Sequence, residues 1–349
     1  MSRASRWVSL GLAAVSLAAC ASPSSSTNAT PADFYAAVPS LPVMRGVLQD
    51  NAWWPLPPSF GVPPLDSGRL PTSVRYTLAQ GYAHVGTAEV ILIDYEVLTS
   101  STISAAVMNF LSSTQASPAT TPKLGDSSLY TQTRVAGAAP FQTDAFVKVG
   151  STIIDVVWFR RDAYASPGQM ARLATPAVSR VKDLLAGKIH ASPPVASDQG
   201  QLPPPGFNIT LLGYTRVPTE SVVLDLGFST DPELVTSILK DGGVKDALYG
   251  DYVLNSDTHM EVKVILMDFG DPMIADQWLD LLRGNTPLDS SGIFSTYSQT
   301  QGRYYYAFTA GSKAALLTCQ ATGPTEAASR SCEQPLDGES AAWKLSLGG

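Results

Sequence analysis

The chain repeats itself, and that repeat limits its fold more than any other feature. Val90-Ile-Leu-Ile-Asp-Tyr-Glu96 reads as a strand, and so does Val262-Lys-Val-Ile-Leu-Met-Asp-Phe269. A helix follows each. Ile103, Val107, Phe110 and Leu111 form one apolar stripe, and Ile274, Trp278, Leu281 and Leu282 form the other; both follow the i, i+4, i+7, i+8 spacing of an amphipathic helix. Thr99, Ser100 and Ser101 offer N-caps on the left, and Asp271-Pro272 supplies a cap and a first-turn proline on the right. A hairpin comes next in both halves. Phe146–Val149 turns through Gly150-Ser151 into 152–159, and Tyr304–Ala310 turns through Gly311-Ser312 into 313–320. The left half closes with a helix carrying Ala177, Val181, Leu184 and Leu185, with Arg180 and Lys182 near its negative pole. The right half closes through 326–343.

Strand, helix, hairpin and helix in each half predict an α+β fold. It has two similar domains, each an antiparallel sheet with helices packed on one face. The expected domains are 31–190 and 206–349. A Pro-rich linker at 191–205 separates them, because proline fixes extended backbone and cannot continue a helix. Asn51-Ala-Trp-Trp-Pro-Leu-Pro-Pro58, continuing to Pro64, reads as an extended arm packed on the first domain. The length of 349 residues suits two domains, and 44% hydrophobic content suits packed cores.

The N-terminus predicts location. Arg3 and Arg6 precede an apolar run from Trp7, which ends in Leu17-Ala-Ala-Cys20. A basic start, a short apolar middle and small residues at a cut are marks of an export signal. Residues 1–20 read as a lipoprotein signal with a lipobox, Cys20 as the acylated first residue, and 21–30 as a flexible tether. The expected location is the extracytoplasmic face of the cell membrane, with lipid as the membrane contact; two or more acyl chains (palmitate-type) hold firmly. Past the signal, no apolar stretch approaches the roughly 20 residues that span a bilayer.

Removing the signal arginines takes the formal charge from -7 to -9. An acidic chain without clustered Lys and Arg argues against nucleic acid. Of the three cysteines, Cys20 goes to lipid. Cys319 and Cys332 remain as an expected disulfide in an oxidising compartment, contributing roughly 3 kcal/mol. No CxxC is present and the three histidines are scattered, so no zinc site and no cofactor are expected.

The order of elements resembles that of envelope lipoproteins of actinobacteria, of mycobacterial type, built from two sensor-like or PsbP-like α+β modules. Leu17-Ala-Ala-Cys20, Val90–Glu96, the helix around Phe110, Leu124-Gly-Asp-Ser127, Phe146–Ile154 and the helix at Thr175–Leu185 carry the resemblance. It implies a binding or assembly role in the envelope and brings no catalytic residues with it.

Chemistry-bearing residues point the same way. Gly125-Asp126-Ser127 resembles the opening of a GDSL-type hydrolase, but its fourth residue is Ser128 and no histidine follows His259. A nucleophile without a base is weak, and Gly, Asp and Ser favour turns. His84 precedes a strand and His190 lies at the domain boundary. His259, Glu261 and Lys263 share one strand face, read as the wet side of the sheet. Asp94, Glu96, Asp268 and Asp271 are the right type for glycoside hydrolysis but read as caps at strand ends. The aromatic candidates for a ligand groove are Trp53, Trp54, Tyr304 and Tyr306, since aromatic faces suit glycans and lipids. The expectation is a non-catalytic, lipid-anchored protein binding a glycan, lipid or protein partner. A hydrolase whose residues converge only in space and a structural assembly factor are the alternatives.

Overall fold

The computed structural model describes residues 29–61, 74–114, 122–192, 196–204, 206, 208–219, 221–222, 232–257, 260–298, 302–321 and 332–348. The signal, the lipobox at Cys20 and His259 lie outside them, as does most of the tether.

Two antiparallel sheets carry the molecule, and helices pack on them in an α+β arrangement. The first half runs α1 (Pro31–Ala36), α2 (Leu41–Leu48), β1 (Trp53–Pro55), β2 (Ser59–Gly61), β3 (Val74–His84), β4 (Val90–Leu98), α3 (Ser101–Thr114), β5 (Ser127–Arg134), β6 (Phe141–Val149), β7 (Thr152–Arg160) and α4 (Pro167–Leu185). A short α5 (Ala196–Gln199) follows. The second half runs β8 (Ile209–Pro218), α6 (Pro232–Asp241), β9 (Asp246–Leu254), β10 (Met260–Asp268), α7 (Pro272–Arg283), β11 (Phe294–Ser298), β12 (Arg303–Ala310), β13 (Lys313–Ala321) and α8 (Glu333–Gly348).

The first sheet is ordered β1-β3-β4-β7-β6-β5, with β2 also on β3; the second is β8-β9-β10-β13-β12-β11. Each strand from β3 to β7 therefore has a counterpart from β9 to β13 in the same place. The correspondence extends to single residues. Val149 pairs with Thr152 around Gly150-Ser151, as Ala310 pairs with Lys313 around Gly311-Ser312. Both glycines stand in the left-handed region, at φ 59° and 58°, which glycine enters without steric cost. The turn carbonyls are used alike: Ser151 accepts from Leu98 N at 2.9 Å and Ser312 from Phe269 N at 3.0 Å.

The helices divide between the two faces of each sheet. On one face of the first sheet, α4 buries Met170, Leu173, Ala177 and Val181 against Ile91, Ile93, Tyr95 and Ile154. Ser166 and Gln169 cap α4 reciprocally, with Pro167 opening the first turn. On the opposite face, α3 sets Val107 and Met108 on Leu98, Leu129 and Ile153. In the second sheet α8 covers Val262, Val264 and Leu317 with Leu336 and Trp343, and α7 covers Ile265, Met267 and Leu316 with Trp278. Leu281, expected in the α7 stripe, is 40% exposed. Cys319 and Cys332 are disulfide-bonded, tying the start of α8 to β13.

The strand face holding Glu261 and Lys263 differs from expectation. Those side chains are 2% and 7% exposed, not solvated. The first half covers them. Glu261 accepts from Phe60 N at 2.6 Å and Ser59 Oγ at 3.3 Å, both on β2. Tyr35 of α1 lies so close over Gly213 that an added Cβ would fall 2.0 Å from its ring. Leu212 and Val253 belong to the first core. The arm at 51–61 thus bridges: β1 and β2 pair with β3, and β2 also grips the second sheet. Two residues of the expected linker are tied in as well: Leu202 is buried, and Gln201 O accepts from Trp343 Nε1 at 2.8 Å.

Intact-mass spectrometry without reductant should find no alkylatable thiol at Cys319 or Cys332. Cys332→Ser should lower unfolding stability by roughly 2–4 kcal/mol in urea melts; free thiols in the wild type would contradict the bridge.

Candidate functional site

Strand β4 alternates. Ile91, Ile93, Tyr95 and Val97 point into the α4 core, so Asp94 and Glu96 point to the α3 face. Antiparallel register assembles further acids there. Asp94 is directly opposite Asp155 of β7, and such pairs bring Cβ atoms to about 4.5–5.5 Å. Glu96 lies opposite Ile153, two residues from Asp155. Phe146 of β6 faces Asp155, which places Asp144 on the other diagonal. Asp155 is therefore the centre of a four-carboxyl set. Asp144 is 5% exposed and accepts from Thr131 Oγ1 at 3.2 Å and Gln142 Nε2 at 2.7 Å. Asp94, Glu96 and Asp155 are half-buried. Asp155 Oδ1 is buried with no hydrogen-bond partner among the described residues.

Electrostatics follow from this crowding. Burial, then the charge of Asp94, raises Glu96 from an ordinary carboxyl to about 7. Burial, then Asp144, Asp94 and Glu96, pushes Asp155 well above the carboxylate range. Neighbouring carboxyls that leave water hold protons instead of charge.

The second half, with the same strand order, shows what this face requires for folding. Matching register sets Ile265 at the place of Asp94 and Met267 at that of Glu96. Leu316 stands for Asp155 and Tyr305 for Asp144. All four belong to the apolar core beneath Trp278, at 0–3% exposure. The architecture is satisfied by hydrocarbon there, so the acids of the first half are not demanded by the fold.

The sequence-predicted residues fall elsewhere. Trp53 is 3% exposed, edge-on to His84 at 5.2 Å and to Trp158 at 6.3 Å. Trp54 is half-buried, and the Arg45 guanidinium lies 4.3 Å from its ring centre. Tyr306 is 1% exposed and donates to Glu333 O at 3.1 Å; Tyr304 stacks on it at 6.4 Å. The two pairs stand on different sheets and do not converge. Asp271 caps α7 through Met273 N at 2.9 Å, and Asp268 accepts from Gly270 N at 3.0 Å. Asp94 and Glu96 correct the capping expectation: they lie inside β4, not at a helix N-terminus. Gly125-Asp126 is a bend that leads into β5 at Ser127, and Asp126 Oδ2 accepts from Gly150 N at 2.9 Å. His84 pairs with Asp50 at 2.9 Å, and His190 is exposed. Among the described residues no three His, Cys, Asp or Glu side chains meet at metal-binding spacing, and no helix is long and apolar enough to cross a membrane. No known family, curated protein or solved structure matches the chain.

Sequence reading missed Asp144 and Asp155 and misplaced Asp94 and Glu96. The available signal was the i, i+2 acid pair inside an apolar strand, which period-2 alternation assigns to one face.

A raised carboxyl stabilises the fold below its unfolded value of 4.5 and loses that contribution as pH rises through about 7. Glu96 therefore makes the protein less stable at pH 8 than at pH 5, by on the order of 2–3 kcal/mol. Glu96→Gln should flatten that slope in thermal melts at constant ionic strength; an unchanged slope would contradict the assignment.

Proposed function

We propose that the chain is a non-catalytic, lipid-anchored protein of the extracytoplasmic face of the cell membrane. In this reading Cys20 carries the lipid, and the α3-side face of the first sheet binds a ligand or partner bearing a cationic group. One observation carries it: of two copies of the same sheet, one keeps Ile265, Met267, Leu316 and Tyr305 where the other has Asp94, Glu96, Asp155 and Asp144. Carboxyls at places a core would fill are a cost to folding, and a bound cation would offset it. The junction between the halves is closed by Tyr35, Phe60 and Glu261, which leaves the sheet face as the better site.

A hydrolytic reading has one observation behind it. Burial and then the charge of Asp94 push Glu96 up to about 7, the kind of tuning a general acid requires.

Two measurements test the proposal. Cys20→Ala should release the protein from membranes into the medium, whereas retention would count against the anchor. In calorimetry at pH 7.5, pentalysine should bind the wild type at least tenfold more tightly than Asp94→Asn/Asp155→Asn. Equal binding by both proteins would remove the site. Cleavage of a cell-wall glycan that disappears in Glu96→Gln would establish the hydrolytic reading instead.

A further inference from the structure

Three charged side chains are enclosed where the two halves meet, and their chemistry goes beyond packing. Lys263 of β10 is directly opposite Asp251 of β9. They are 7% and 2% exposed. Glu261 shares their face, two residues before Lys263, with its Oε1 3.8 Å from Lys263 Nζ. Val253 and Phe60 of the same junction are also buried. Burial and the negative charge of Asp251 push the Tyr35 phenol well upward. The set holds two acids and one base. Glu261 is independently fixed by Phe60 N, Ser59 Oγ and Gln320 Nε2 at 2.6, 3.3 and 3.0 Å. Directly opposite residues have Cβ atoms about 4.5–5.5 Å apart, which puts the Asp251 carboxyl within a lysine side chain's length, while Lys263 Nζ rests nearest Glu261. A buried ion pair is costly to hold, and replacing it with neutral groups is often stabilising.

We propose that Lys263 and Asp251 become joined by an intramolecular isopeptide bond, with Glu261 relaying the protons. A proton passes from the Lys263 ammonium to the Asp251 carboxylate by way of Glu261. The free amine then attacks Asp251 Cγ, forming the C–N bond. Nζ releases a second proton, which Glu261 delivers to the departing hydroxyl. The Cγ–O bond breaks, one water leaves, and Glu261 ends as the carboxylate it began as. Nothing is oxidised or reduced, and no co-reactant is needed. Holding the reacting groups in place replaces an encounter in solution. The β2 backbone over Glu261 keeps water from the product, which opposes hydrolysis. A single neutral amide then stands where two buried charges stood, and β9 is welded to β10 beneath the junction. The bond is independent of any ligand on the first sheet.

Intact mass of the purified, reduced protein decides the matter. The wild type should be lighter than its sequence by one water, and digestion should give a branched peptide joining the β9 and β10 segments. Asp251→Ala and Lys263→Arg should each have the full sequence mass. Glu261→Gln, which keeps the shape and the acceptor for Phe60 N, should also have the full mass while melting cooperatively. A wild type of full mass, with Lys263 and Asp251 recovered in separate linear peptides, would overturn the proposal. So would a loss of water that persists in Asp251→Ala. Dehydration of Glu261→Gln at the wild-type rate would overturn the relay.

Discussion

A carboxyl taken out of water must keep its proton or find donors, and both solutions are present here. On the first sheet, Glu96 and Asp155 sit among other acids and hold protons at pH values where ordinary carboxyls are ionised. At the junction, Glu261 finds donors instead: a backbone N–H, a serine hydroxyl and a glutamine amide. In the proposed reading, the first arrangement leaves a face that exchanges protons for a cation. The second fixes two sheets against each other.

Matching topology makes the comparison internal. The two sheets share strand order and hairpin register, so the second half is a control for the first. Where it carries hydrocarbon under Trp278, the first carries acids. Conversely, Val90 and Leu92 of the first sheet correspond to Glu261 and Lys263 of the second. The polar pair lies at the junction with the first half, and the acids lie on the α3-side face of the first sheet. Each copy has thus placed charge on a different part of the same surface.

Much of the architecture was legible in sequence because it rests on local periodicity. Alternation in Val90–Glu96, the stripe of Ala177, Val181 and Leu184, and the Gly150-Ser151 and Gly311-Ser312 turns all read directly. Helices on both faces were not legible, since a stripe shows that a helix packs and not where. The buried Glu261 and Lys263 were misread because a polar alternation looks the same facing water or facing a second module. Asp144 and Asp155 join Asp94 only through non-local register among β4, β6 and β7, which no short window contains. The tryptophans drew attention by type, yet Trp53 fills space against His84 and Trp158.

The most direct test is a carbon-detected NMR titration of the Glu96 carboxyl in the folded protein. The account predicts a midpoint near 7, falling toward the ordinary value when Asp94 is changed to asparagine. A midpoint at the usual glutamate position, indifferent to Asp94, would contradict it.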